Sequence, residues 1–170
     1  MYELVSNKIT CLSLNISKNG EYFAMYCKDK HFRIFKFASG SLYKVYNESL
    51  KFYVDNYNEI LKNQMTHLEK QDFDKRLITE REIEKLVDKY SDVFPPLNIQ
   101  FDETNHYIFY LTLVGIKLIE LHNNRLVKIL GKKESERFLT ISLFQGKALR
   151  VKICFINPVE RFRTNRYRRF

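Results

Sequence analysis

The residues with the widest chemical range in this 170-residue chain are four histidines, three cysteines, one adjacent carboxylate pair and an arginine-rich end. His31, His67, His106 and His122 lie in unrelated segments, and no HxxxH or HExxH spacing brings two of them onto one helical face. Cys11, Cys27 and Cys154 are far apart, without a CxxC or a Cys/His cluster of metal-ligand spacing. They alternate within apolar strands and read as core residues. Asp102-Glu103 stands at a strand end, where a carboxylate serves the following turn more readily than acid–base chemistry. No glycine-rich phosphate loop occurs. These patterns lead to the expectation of no catalytic residues, no metal and no cofactor. Only the C-terminal run has a recognisable chemistry. Arg161, Arg163, Arg166, Arg168 and Arg169 interleave with Phe162, Tyr167 and Phe170. Arginine neutralises phosphates and aromatic rings stack on bases, so these five arginines are candidates for nucleic-acid binding, against the plainer reading of a solvated terminus.

The charge is distributed accordingly. The chain carries +9, yet residues 147–170 hold eight basic side chains and one acid, so the preceding 146 residues are close to neutral. The N-terminus has no apolar signal region, and no run reaches the roughly 18 apolar residues of a membrane span. The expected chain is therefore soluble, not secreted and without membrane or small-molecule partners. At 45% hydrophobic and 15% aromatic residues it has the means to bury a core.

The elements that must position these residues follow from periodicity. Alternation predicts strands at 9–16, 21–27, 32–37 and 42–46, with turns at Asn19-Gly20, Asp29-Lys30 and Ser39-Gly40. From Asn47 the period lengthens to that of a helix, with Tyr53, Tyr57, Ile60, Leu61 and Met65 on one face and Asn47 or Ser49 as cap. A second helix is expected over about residues 72–90, with Asp72–Arg76 and Glu82–Lys85 as helix-spaced ion pairs, and Pro95-Pro96 ends the segment. Residues 47–96 thus read as an inserted helical hairpin. Strands resume at 98–101, 106–113, 115–121 and 125–130, and a further strand is expected at 138–144.

The two sets of strands repeat. Offset by 85, Ile16 meets Phe101, Gly20 meets Asn105 and Tyr22 meets Tyr107. Offset by 84, Arg33 meets Lys117, Phe35 meets Ile119 and Gly40 meets Asn124. Four-stranded repeats of this length are propeller blades, which bury their faces against neighbours. The alternative is a plain two-sheet β-protein with a helical cap.

The stretch Asp29-Lys30-His31-Phe32-Arg33-Ile34-Phe35-Lys36 resembles the WD-repeat signature. Asp29 matches the turn Asp, Arg33 the strand Arg and Phe35 the Trp position, while Lys36 departs from the final Asp. In the second unit Leu113 replaces the turn Asp. The combination of DKHFRIFKFASGSLYKVYNESL, a charged helix, NIQFDET, GIKLIEL, RLVKILGK and LFQG is similar to the WD-repeat portion of the nuclear peptidyl-prolyl isomerase (cyclophilin) and WD-repeat protein family. The similarity runs from about Tyr2 to Gly146. It implies a mainly β fold: a partial WD-repeat β-propeller over residues 1–146, with a blade at 9–46, a helical insert at 47–96, a blade at 97–130 and the next strand at 138–144. Residues 147–170 form a basic tail outside the family pattern. It further implies a nuclear protein, otherwise cytoplasmic, with spliceosomal or chromatin protein partners, and the chain reads as a fragment, a truncated gene product or an unusual short product. The function expected on this basis is a non-catalytic interaction scaffold, so the chain itself is not expected to be an enzyme. The alternatives are the peptidyl-prolyl cis-trans isomerase function of the full-length family, and RNA binding through the tail.

Overall fold

The computed structural model describes residues 4, 8–62, 69–89, 96–134 and 136–145. The arginine-rich tail, His67 and Cys154 lie outside them.

Two four-stranded antiparallel sheets are linked by three helices. Sheet I orders β1 (Cys11–Ile16), β2 (Tyr22–Cys27), β3 (His31–Lys36) and β4 (Leu42–Asn47) as a simple meander. Sheet II does the same with β5 (Ile99–Phe101), β6 (Tyr107–Thr112), β7 (Gly115–Glu120) and β8 (Arg125–Leu130). Local conformation shows why the two resemble each other. Gly20, Lys30 and Gly40 take positive φ in the turns of sheet I; Asn105, Gly115 and Asn124, 84 or 85 residues later, do so in sheet II. Ser17 Oγ accepts from the Tyr22 amide at 2.9 Å, and Asp102 Oδ1 accepts from the Tyr107 amide at 2.7 Å. Asp102 therefore braces a turn, as its position at a strand end suggests. Each sheet also shifts register once between its third and fourth strands, at Ile34/Phe35 and at Leu118/Ile119.

The sheets pack face to face. Ala24, Tyr26, Phe32 and Ile34 of sheet I meet Ile99, Phe101, Ile108, Tyr110, Ile119 and Leu121 of sheet II. Tyr26, Phe32, Tyr110 and Tyr46 form a chain of ring contacts with centroids 4.6–5.3 Å apart. Aromatic pairs at such spacings add to the burial of their area. At the β1 edge it is the polar side that turns inward. Ser13 Oγ donates to the Leu97 carbonyl at 2.6 Å, and Asn15 Nδ2 to the Ile99 carbonyl at 2.8 Å. Leu14 and Ile16 face outward and are exposed, with Phe37, Leu42 and Val45 on the same outer side of sheet I.

The helical connection departs from the expected hairpin in its first arm. Ser49 is the cap of α1 (Leu50–Asp55), its Oγ accepting from the Phe52 amide at 3.2 Å. Asn56 then bonds the Phe52 carbonyl through its backbone and its side chain, which ends the helix, and α2 (Tyr57–Lys62) starts afresh. The second arm, α3 (Lys70–Lys89), is continuous. Phe73 and Leu77 bury against Tyr53, Leu113, Val114 and Ile129, fastening its first half to sheet II. The expected Asp72–Arg76 pair does not form. Asp72 faces Lys75 at 3.9 Å, while Arg76 is buried and donates to the carbonyls of Leu113, Lys132 and Glu134.

The expected strand at 138–144 is also corrected. Residues 137–145 form no strand, because no backbone ladder partner faces them among the described residues. Side chains hold the segment instead: Asn98 brackets Ile141 with two hydrogen bonds, and Gln145 Nε2 donates to the Phe101 carbonyl. Phe138 and Ile141 cover Leu111 and Ile116 on the far face of sheet II.

Candidate functional site

The first of the residues singled out from the sequence meet at the β2–β3 turn. Arg33 Nη1 and Nη2 donate to the two oxygens of Asp29 at 2.9 and 2.5 Å, a fork geometry that fixes both side chains. Burial pushes the Asp29 carboxyl up, but the Arg33 bonds and charge outweigh it and hold the group below the usual carboxylate range. His31 Nδ1 lies 2.8 Å from the Asp29 carbonyl. Phe35 is elsewhere, stacked on Phe23 at 5.0 Å on the outer face of sheet I. Asp29 and Arg33 are thus brought together and Phe35 is not. Cys27 is buried, whereas Cys11, expected in the core, is exposed. Arg161, Arg163, Arg166, Arg168 and Arg169 fall outside the described residues.

Two further polar clusters anchor the helical connection, one to the sheets and one to the segment that follows β8. In the first, Glu48 Oε1 accepts from Lys117 Nζ at 2.7 Å and from the Tyr110 hydroxyl at 3.1 Å, and Oε2 accepts from the Tyr53 hydroxyl. The Glu48 side chain is 5% exposed and that of Lys117 17%. Lys117 Nζ also lies 5.6 and 5.9 Å from the Tyr53 and Tyr110 ring centres. Burial, then the Glu48 charge, raises both phenols well above their ordinary range, so they remain donors. A lysine between Ile116 and Leu118 in an apolar strand was the available signal.

In the second cluster, Arg137 Nε and Nη2 donate to the two oxygens of Glu80 at 2.6 and 3.2 Å, and Nη1 donates to the Phe138 carbonyl. Both side chains are nearly buried. Burial lowers the Arg137 guanidinium, yet Glu80 more than compensates and the net shift is upward. This pair lies in the wall of a cleft of about 290 Å³ between the second half of α3 and sheet I. Leu12, Ile83, Val87, Pro96, Leu97 and Leu139 supply its apolar surface, and Tyr26, Lys30 and Glu84 complete it. Leu12 reaches the cleft because β1 is out of register between Cys11 and Ser13. The lining is mostly apolar, with a few converging polar groups. A second depression, between the turns at the other end of the sheets, is lined by Glu21, Tyr22, Asn105, His106, Tyr107, Glu120 and His122. No cluster of three metal-ligating side chains occurs among the described residues, and none of their helices is long and apolar enough to cross a membrane.

No protein-family model matches the chain. It is, however, 37% identical over 148 residues to "Peptidylprolyl isomerase domain and WD repeat-containing protein 1" of Homo sapiens, covering 87% of this chain and 21% of that protein. It is 36% identical over 147 residues to "Peptidyl-prolyl cis-trans isomerase CYP71" of Arabidopsis thaliana, covering 86% of this chain and 22% of that protein. It is 34% identical over 147 residues to "Peptidyl-prolyl cis-trans isomerase cyp15" of Rhizopus delemar. The chain spans about a fifth of the length of these relatives. The expectation of a chain that is not an enzyme is overturned by these names. Over 86–87% of its length the chain is similar to proteins named for prolyl isomerisation. A lack of catalytic motifs does not argue against prolyl isomerisation, which rotates a bond rather than breaking one and so demands no nucleophile, metal or phosphate loop.

Proposed function

We propose that the chain belongs to the peptidyl-prolyl isomerase and WD-repeat family and serves peptidyl-prolyl cis-trans isomerisation, with its two sheets acting as successive WD-repeat blades that present partner-binding surfaces. The isomerase half of this reading rests on the relatives' names and on 34–37% identity over 86–87% of the chain. The blade half is carried by one observation: the polar contacts from β1 and its following turn to sheet II join residues at the repeat offset. Ser13 bonds Leu97, Asn15 bonds Ile99 and Gln100, and Lys18 meets Glu103 and Asn105, separations of 84 to 87 residues. Equivalent positions in two units touch when the units follow one another in a stack, which is how blades bury their faces. Protein partners of spliceosomal or chromatin type, and a nuclear location, belong to the same proposal through the family resemblance.

The test is the reaction itself. An X–Pro bond isomerises unaided in tens to hundreds of seconds. The purified chain, added to a short X–Pro peptide and followed by NMR exchange, is expected to raise the rate in proportion to its concentration. A rate that stays at the uncatalysed value at every concentration would refute the isomerase reading for this chain.

A further inference from the structure

The cleft beneath α3 has a selectivity written into its charges and its floor. Its ionic groups cancel in pairs: Glu80 is taken by Arg137, and Glu84 lies 3.8 Å from Lys30. Each side-chain nitrogen of Arg137 is already engaged, Nε and Nη2 with Glu80 and Nη1 with the Phe138 carbonyl. The site therefore offers no net charge to a charged ligand. The floor differs. Tyr26 is 4% exposed, its ring fixed against Phe32 at 4.6 Å, and its hydroxyl makes no hydrogen bond to any described residue. Burial, assisted by the Glu80 charge, keeps this phenol protonated, so it is a donor in search of an acceptor. The hydroxyl is not sealed from solvent, so a ligand oxygen entering the cleft can replace water as its acceptor. Leu12, Ile83, Val87 and Leu97 supply apolar lining in the same cleft as Tyr26.

A neutral acceptor next to a bulky apolar group is the chemistry of a peptide unit with an aliphatic or aromatic side chain. We propose that the cleft binds a neutral peptide segment, which inserts one such side chain between α3 and Leu12/Leu97 and sets a main-chain carbonyl on the Tyr26 hydroxyl. This binding stands apart from the isomerase reading, since a segment can be held there whether or not a prolyl bond is turned over.

The test is a ¹⁵N NMR titration of the full chain with N-acetyl-leucinamide, with N-acetyl-glycinamide and N-acetyl-lysinamide as controls. Saturable shifts at Leu12, Tyr26, Ile83, Val87 and Leu97 are expected with the leucine probe and not with the controls. Tyr26→Phe keeps the ring and should weaken binding roughly three- to tenfold, the worth of one hydrogen bond. Val87→Glu puts a charge into the apolar wall and should abolish binding, with circular dichroism confirming that the helices persist. Equal binding of all three probes, or shifts confined to other residues, would overturn the site. Undiminished binding to a folded Val87→Glu chain would do the same. Unchanged affinity for Tyr26→Phe would overturn the carbonyl contact and with it the preference for a peptide over any apolar solute.

Discussion

Replacing Glu48 should be among the most damaging single changes in the chain. Its carboxylate is 5% exposed and receives one ammonium and two phenols. Glu48→Ala removes the acceptor and leaves Lys117, Tyr53 and Tyr110 facing one another. Breaking a buried ion pair from one side costs about 3–5 kcal/mol, because the surviving charge remains desolvated. The two phenols add to this if no water replaces the carboxylate, whereas the 17% exposure of Lys117 gives its ammonium partial relief. About 3–5 kcal/mol is therefore the expected loss. At roughly 2–4 °C per kcal/mol for a chain of this size, Tm should fall by about 6–20 °C. Lys117→Met should cost less, since Glu48 keeps its two phenol donors. The double variant should fall short of the sum by about 1–3 kcal/mol, the range of directly coupled residues. Urea unfolding of the four chains at neutral pH, with a constant m-value, measures all of this. A Glu48→Ala loss below about 1 kcal/mol would match an exposed surface pair and refute the buried junction. Strict additivity in the double variant would refute the coupling.

Asp29 supplies a pH dependence. Its carboxyl titrates lower in the folded chain than in the unfolded one, so its contribution is present above the ordinary carboxylate pKa of about 4 and disappears as pH falls through the folded value. Thermal melts should lose stability on acidification below about pH 4, and Asp29→Asn should lose less over that range. An identical acid limb in both chains would refute the assignment. Gly115→Ala should destabilise by more than about 2 kcal/mol, because φ is +130° and an added Cβ would come 2.4 Å from the Leu130 carbonyl oxygen; a melt unchanged from the parent chain would count against the hairpin geometry. Leu14, Ile16 and Phe37, each about half exposed on the outer face of sheet I, should drive self-association. Light scattering should show a smaller mass for Leu14→Lys/Phe37→Lys than for the parent, and a monodisperse parent monomer would exclude this. RNA binding that is steeply salt-dependent should vanish on removal of residues 147–170, and equal binding by both chains would exclude the tail as its source.

The strands were legible because each turn carries its own chemistry. Asn19-Gly20, Ser39-Gly40 and Asn123-Asn124 supply residues that tolerate positive φ, and the alternation between them locates six-residue strands. The first helix was read too long because its periodicity continues through Asn56, whose side chain competes for the Phe52 carbonyl and stops it. The segment at 138–144 alternates like a strand, but a strand is a pairing, and alternation says nothing about whether a partner is in reach. The cleft beneath α3 was illegible for a related reason. Leu12, Tyr26, Glu80 and Arg137 come from four separate stretches, and none carries a local signature. Only the tertiary path of α3 across sheet I brings them together.

What links the repeat to the polar junctions is the placement of one basic residue. Arg33 and Lys117 occupy equivalent positions 84 residues apart, and both point to the same side of their sheets: Arg33 pairs across from Met25 on the outer face of sheet I, and Lys117 from Tyr110 on the face that meets sheet I. Each must be neutralised, and each finds a different acid. Arg33, itself buried, takes the partly exposed Asp29 from its own turn. Lys117 has Leu113 where Asp29 stands in the first unit, so no turn carboxylate is at hand, and Glu48 from the end of β4 takes its place. The carboxylate that the second unit lacks is thus delivered by the first, at the point where the chain leaves sheet I for the helices. A charge that each sheet could have satisfied alone is instead satisfied between them. Sheet II is thereby tied to sheet I by a bond whose loss should unfold more than one turn.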